Sequence, residues 1–225
     1  MENIARNLES VRERIERAAV RSGMDPGGVT LVAVSKGRSL ESIRAAVSAG
    51  QTVFGENRAR ELCDKMDRLD ADLEWHFVGH LQRNKVNMVV GKVALIHSVD
   101  SLRLLEAVAL RAEELGMIQD ILLQVNVSGE ESKYGIAAER TAELLEAELD
   151  LAAVRVRGLM TMAPLAVEAE IRPCFRRLRE LRDELARDYP AASLDILSMG
   201  MTQDFEVALE EGANMVRIGT AIFAT

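Results

Sequence analysis

Three short blocks carry most of the chemistry legible in this sequence. Lys36 follows Ser35 and the apolar run Leu31-Val32-Ala33-Val34, and two later apolar runs lead into Ser198-Met199-Gly200-Met201-Thr202 and Arg217-Ile218-Gly219-Thr220. A lysine emerging from an apolar floor is expected to be partly desolvated, which favours the neutral amine needed to form an imine. The later blocks combine glycines that let backbone approach a ligand, hydroxyl side chains and a helix starting near Asp204, which are the makings of a phosphate cradle. Each block alone is weak, because a strand-end lysine commonly just reaches solvent and a Ser-Met-Gly or Gly-Thr turn is commonly only a turn. In combination they describe a site for a phosphorylated aldehyde or ketone.

These blocks must be positioned by regular elements. Ile4, Leu8, Val11, Ile15 and Ala18 or Ala19 make a helical stripe that stops at Ser22-Gly23, with Pro26 beyond. Eight short apolar runs, at 31–34, 52–54, 75–78, 94–96, 121–127, 154–159, 194–197 and 215–218, read as strands. Helical patterns lie between them, one capped by Ser39 with Ile43, Ala46 and Val47 on a face, another marked by the stripe Phe175, Leu178, Leu181, Leu185 and Tyr189. Strand–helix alternation implies parallel strands with right-handed crossovers. Eight such units after an opening helix predict an α/β chain folded as one (β/α)8 TIM-type barrel over residues 1–225. An open doubly wound sheet is the alternative, but its first turn should be glycine-rich, and here it reads Val34-Ser35-Lys36-Gly37.

Barrel sites lie at the C-terminal ends of the strands. That face is predicted to carry Lys36, Glu56 and Asn57, His80 and Gln82, Ser98, Asn126, residues 160–162, and the two late blocks. His76 and His80 are four apart, but in a strand and its end that spacing does not make a helical metal pair.

The 225 residues include 28 Lys plus Arg against 36 Asp plus Glu, a net charge of −8. That balance argues against nucleic acid or an anionic membrane surface as the main partner and leaves room for a small anion held locally. Cys63 and Cys174 have no ligand-like spacing and sit in helical stretches, where a small buried hydrophobe is expected. With no leader-like start after Met1-Glu2-Asn3-Ile4 and no run of 18 apolar residues, a cytoplasmic location is expected.

The segments Ala33-Val34-Ser35-Lys36, Phe54-Gly55-Glu56-Asn57, Trp75-His76-Phe77-Val78-Gly79-His80-Leu81-Gln82-Arg83-Asn84-Lys85, Gly158-Leu159-Met160-Thr161-Met162, Leu197-Ser198-Met199-Gly200-Met201 and Arg217-Ile218-Gly219-Thr220-Ala221-Ile222-Phe223 resemble the pyridoxal phosphate homeostasis protein family. That family is similar to the barrel domain of alanine racemase standing alone, a fold type III cofactor-binding barrel. The resemblance implies that pyridoxal 5'-phosphate is held as a Schiff base on Lys36. It implies also that Ser198, Gly200, Met201, Gly219 and Thr220 hold the phosphate, that Arg217 faces the pyridine nitrogen and that Asn57 lies beside the ring. His80 is expected to hydrogen-bond beneath the cofactor.

A permanently cationic arginine at the pyridine nitrogen disfavours a protonated pyridinium and makes the ring a weaker electron sink. A racemase of this resemblance also draws a tyrosine base from a second domain, for which a chain ending at Thr225 is expected to leave no room. Tyr134 and Tyr189 offer little replacement. The expected role is therefore cofactor homeostasis by a monomer, with possible hand-over to apo-enzymes that use pyridoxal phosphate. A low-activity amino-acid racemase and a class I aldolase are the enzyme alternatives. Lys133 is expected to be an exposed loop residue with a second, transient cofactor site as the other reading. The short end at Phe223-Ala224-Thr225 suggests a shortened last helix.

Overall fold

The computed structural model describes residues 2–224 except 70, 71, 128, 130–133 and 165. Lys133 lies outside the described residues. Among them are nine strands, β1 (Thr30–Val34), β2 (Val53–Glu56), β3 (Glu74–Phe77), β4 (Leu95–Val99), β5 (Gln119–Asn126), β6 (Ile136–Ala137), β7 (Val154–Met160), β8 (Ile196–Ser198) and β9 (Met215–Ile218). Eight of them pair in the order β4-β3-β2-β1-β9-β8-β7-β5, and β4 pairs with β5, so the parallel sheet closes into the expected barrel. The barrel is closed between the chain's first and last strands by the register Thr30↔Met215 through Ala33↔Ile218.

Side-chain alternation sorts the core into two layers. Inside the barrel, Val32, Val78, Leu95, Leu122, Met160 and Met215 pack together. The opposite strand faces pack on the helices α1 (Glu2–Arg21), α2 (Leu40–Ser48), α3 (Ala59–Met66), α4 (Val86–Val89), α5 (Leu102–Glu114), α6 (Thr141–Leu149), α7 (Glu168–Asp188), α8 (Phe205–Glu210) and α9 (Thr220–Phe223). The stripe predicted in the longest helix is real: Phe175, Leu178, Leu181 and Leu185 are buried, each contributing about 1.5–3 kcal/mol of apolar transfer. The charged face beside it is less purely solvated than its composition suggests, because Arg172 and Arg176 both pair with the buried Glu211 after α8, at 3.2 and 3.0 Å.

The opening helix is a strut across the seam of the barrel. Leu8, Val11, Ile15, Ala18 and Ala19 are buried, and α1 packs on α2, α8 and α9. Arg14 pairs with Glu206 at 2.9 Å, and Asn7 Nδ2 donates to the carbonyls of Ile222 and Ala224 at 3.1 and 3.2 Å.

Several boundaries differ from the sequence expectation. β2 runs on to Glu56 and β4 to Val99, so Glu56 and Ser98 are buried inside strands instead of lying on the open face. The seventh barrel strand starts at Ile196, because Leu194 buries into the helical layer from the preceding loop. The ninth strand, β6, pairs two residues with Val125 and Asn126, too short to leave an apolar run in the sequence. Cys63 and Cys174 are half-buried, not core residues.

Candidate functional site

At the C-terminal mouth of the barrel lies a cavity of about 390 Å³ whose lining includes Lys36, Asn57, Met201, Arg217, Gly219 and Thr220. Its volume falls in the range typical of small-molecule sites. Six of the nine predicted binding residues therefore meet at one place. The other three, His80, Ser198 and Gly200, are not part of the lining.

Lys36 stands in the turn after β1, exposed, and makes no hydrogen bond or ion pair with the described residues. The partial burial expected of it is absent. Its position is fixed instead through its neighbours. Ser35 Oγ donates to Glu56 Oε1 at 2.6 Å, Lys65 Nζ donates to the Ser35 carbonyl at 2.7 Å, and the Gly37 N–H donates to Glu61 Oε1 at 2.5 Å. Lys65 also bridges Glu56 at 2.5 Å and Glu61 at 2.8 Å. Burial pushes the Glu56 carboxyl above its ordinary range, opposed by Lys65 and Ser35. Burial acts the same way on Glu61, but there Lys65 and the Gly37 N–H override it and hold the carboxyl low. The turn is thus gripped on both sides of Lys36 by a largely buried charge cluster.

Arg217 is the other fixed cation. It projects from β9 at 5% exposure; Nη1 donates to Ser198 Oγ at 2.6 Å and Nη2 to the Thr161 carbonyl at 2.8 Å. Burial lowers its pKa to about 10, partly offset by the nearby Asp204. Asp204, itself buried, is pushed up by that burial and held back by the Met201 N–H and Arg217.

The loop after β8 is ordered by these contacts. Met201 N–H donates to Asp204 Oδ1 at 2.5 Å, and the Arg217 N–H donates to the Gly200 carbonyl at 3.0 Å. Ser198, fully buried, bonds His97 Nδ1 at 2.9 Å as well as Arg217, so its hydroxyl supports the arginine and does not face the cavity. Gly200 has φ 95°, and a Cβ there would fall 2.7 Å from Ala208 Cβ and 2.8 Å from Phe205 Cα; its role is to let the loop lie on α8. Thr202 Oγ1 accepts from the Ala221 N–H at 3.4 Å and joins this loop to the one after β9. The helices that follow, α8 and α9, have only six and four residues, so the cradle consists of loop backbone and hydroxyls more than of helix ends.

Asn57 lines the cavity with its Oδ1 buried and unpartnered among the described residues. It is held there by the close approach of Gly79, where a Cβ would meet the Asn57 carbonyl at 2.3 Å. His80 is exposed, stacks on Tyr134 with centroids 4.1 Å apart and sits 3.5 Å from Asp100; burial in the barrel is reserved for His76 and His97. Tyr134 is likewise outside the cavity lining.

Sequence reading gave no supporting role to Lys65, Glu61 or His97, and took Asp204 only as the start of a helix. The Glu61/Lys65 spacing of four was visible, but as an ordinary helical pair, and nothing local revealed that it reaches under the Lys36 turn.

The alanine racemase N-terminal domain model matches residues 2–225. The chain is 49% identical over 223 residues to the pyridoxal phosphate homeostasis protein of Aquifex aeolicus (98% of this chain, 97% of that one). It is 42% identical over 225 residues to the protein of the same name from Pseudomonas aeruginosa (99% and 96%). Among solved structures, PipY of Synechococcus elongatus PCC7942 with PLP bound superposes with a TM-score of 0.86 at 38% identity, covering 98% of this chain and 100% of that one.

Proposed function

Because the chain belongs to the pyridoxal phosphate homeostasis protein family, within the alanine racemase N-terminal domain, we propose that it binds pyridoxal 5'-phosphate in the cavity at the mouth of its barrel. One observation carries the reading: an exposed, unengaged primary amine and a buried guanidinium line the same cavity as two hydroxyl- and glycine-bearing loops. The cofactor supplies an aldehyde that a primary amine captures reversibly, and a dianionic phosphate. The residues fit such a group. Lys36 is the amine; Thr202, Gly219 and Thr220 form the polar rim for the phosphate; Arg217 presents a fixed donor to the ring nitrogen; and the unsatisfied Asn57 amide oxygen is an acceptor seeking a donor. Arg217 is supported from beneath by Ser198, and the loop by Gly200 and Met201, so those three act by holding the site together. No role beneath the cofactor is assigned to His80.

We further propose that residues 1–225 act as one cofactor-holding unit, monomeric and cytoplasmic, which passes its cargo to apo-enzymes. The opening of the cavity at Lys36 leaves the captured aldehyde reachable by another amine. Among the described residues no helix is long and apolar enough to cross a membrane. The direct test is absorption spectroscopy after incubation with pyridoxal phosphate: the native chain gains a visible imine band, and Lys36→Ala does not. A band retained in Lys36→Ala refutes the assignment. Transfer is tested by reactivating an apo-enzyme; donation no faster than from free cofactor would leave storage alone.

A further inference from the structure

The barrel interior holds a row of polar groups that binding at the cavity does not explain. Glu74 and His76 are two apart on β3 and so share its inner face; His97 is on β4, Ser198 on β8 and Arg217 on β9. Glu74 Oε1 lies 2.8 Å from His76 Nε2, His76 Nδ1 lies 3.0 Å from His97 Nε2, His97 Nδ1 lies 2.9 Å from Ser198 Oγ, and Arg217 Nη1 lies 2.6 Å from the same oxygen. His76, His97, Ser198 and Arg217 are 2%, 0%, 0% and 5% exposed, whereas the Glu74 side chain is half exposed at the opposite mouth.

We propose that Glu74, His76, His97 and Ser198 form a single hydrogen-bonded wire along the barrel interior, all of its hydrogens directed away from Arg217, and that His76 and His97 are positioning residues for that arginine. The direction follows from counting donors. Arg217 can only donate, so Ser198 Oγ accepts from it. The only further partner of the hydroxyl among the described residues is His97 Nδ1, so Ser198 gives its hydrogen to that nitrogen. His97 then carries its hydrogen on Nε2 and donates to His76 Nδ1, and His76 donates from Nε2 to the Glu74 carboxylate. Every group is satisfied with both imidazoles neutral. The reverse arrangement leaves the hydroxyl hydrogen without an acceptor and sets a bare imidazole nitrogen against a carboxylate oxygen at 2.8 Å. A doubly protonated His76 also fails, since its Nδ1–H would force His97 to hold its hydrogen on Nδ1 and orphan Ser198 again. Burial above all, with the Arg217 cation nearby, holds His97 well toward its neutral form, in keeping with this assignment.

The consequence for the cavity is geometric. Ser198 is locked as an acceptor at Nη1 while the Thr161 carbonyl takes Nη2, so the guanidinium plane is fixed before any ligand arrives. The wire consists entirely of the chain's own side chains, so its test is independent of the cofactor assignment. Long-range ¹H–¹⁵N correlation on the chain at neutral pH should find Nδ1 of both His76 and His97 bare and both Nε2 protonated. A hydrogen on Nδ1 of either ring overturns the proposal. In His97→Leu, exchange of the Arg217 guanidinium hydrogens should quicken about tenfold, the weight of roughly one hydrogen bond, and His97→Gln, whose amide oxygen can accept from Ser198, should restore most of the protection. Equal exchange in the native chain and in His97→Leu, with both folded, overturns it as well.

Discussion

Replacing Lys65 with methionine removes the cation from the cluster that grips the Lys36 turn while keeping side-chain volume. Glu56, with no exposed surface, would lose its 2.5 Å partner, and the Ser35 carbonyl would lose its 2.7 Å donor. Breaking a buried pair on one side destabilises by about 3–5 kcal/mol, a large share of the 5–15 kcal/mol typical of a domain. The loss should depend on pH in a definite sense. The Glu56 carboxyl is already pushed above its ordinary range by burial, and Lys65 is the strongest group holding it down, so the variant raises it further. A carboxyl with a raised folded pKa contributes its stability fully below the unfolded value and loses it as pH climbs through the folded value. The window opens just above the ordinary carboxylate range and reaches higher in the variant than in the native chain, so the deficit grows through it. Urea unfolding should therefore show a loss that is smallest toward the ordinary carboxylate range and grows as pH rises above it. Adding Glu56→Gln should recover much of the loss and flatten the profile. A Lys65→Met deficit below about 1 kcal/mol above the carboxylate range, or one independent of pH, would refute the view that the cluster is a buried charge pair.

Gly200→Ala should destabilise by about 2–5 kcal/mol in the same assay, combining a left-handed backbone with a Cβ driven into α8. It should also disturb the loop that carries Met201 and Thr202; an alanine variant as stable as the native chain would contradict the packing described. Asp204→Asn keeps an acceptor for the Met201 N–H but weakens it by about 1 kcal/mol. Since burial raises the Asp204 carboxyl, the native chain loses stability relative to this variant as pH rises through that raised value, and a constant difference between pH 4 and about pH 8 would count against it.

What could be read from the residues and what could not divide along a physical line. The barrel was legible because each strand is a local apolar run and each helix a local stripe, as with Leu31-Val32-Ala33-Val34 and Phe175 to Leu185. The cavity was legible because barrel sites sit at strand ends, and Lys36, Asn57, Met201, Arg217, Gly219 and Thr220 stand there. Strand length was the weak point. Polar Glu56 and Ser98 looked like strand ends, yet Glu56 is satisfied by Lys65 and Ser35, and Ser98 is carried inside β4 without a partner among the described residues. Contacts between distant segments, such as His97 with Ser198, 101 residues away, leave no local trace at all.

The closure of the barrel by β1 and β9 sets a timetable. Their paired residues Thr30 and Met215 are 215 − 30 = 185 positions apart. At about 5–20 residues per second of synthesis, β1 waits roughly 10–40 s for its neighbour. During that wait the apolar stripe of α1 lacks α8 and α9, and the mouth of the barrel lacks Arg217, Gly219 and Thr220. Assembly of the cavity therefore waits for β9 and the turn that follows it. A polypeptide ending before β9 has no closed ring and keeps Lys36, Asn57 and Thr202 but lacks Arg217, Gly219 and Thr220, so the amine that would capture an aldehyde is made long before the arginine and the second loop that would hold the rest of the ligand.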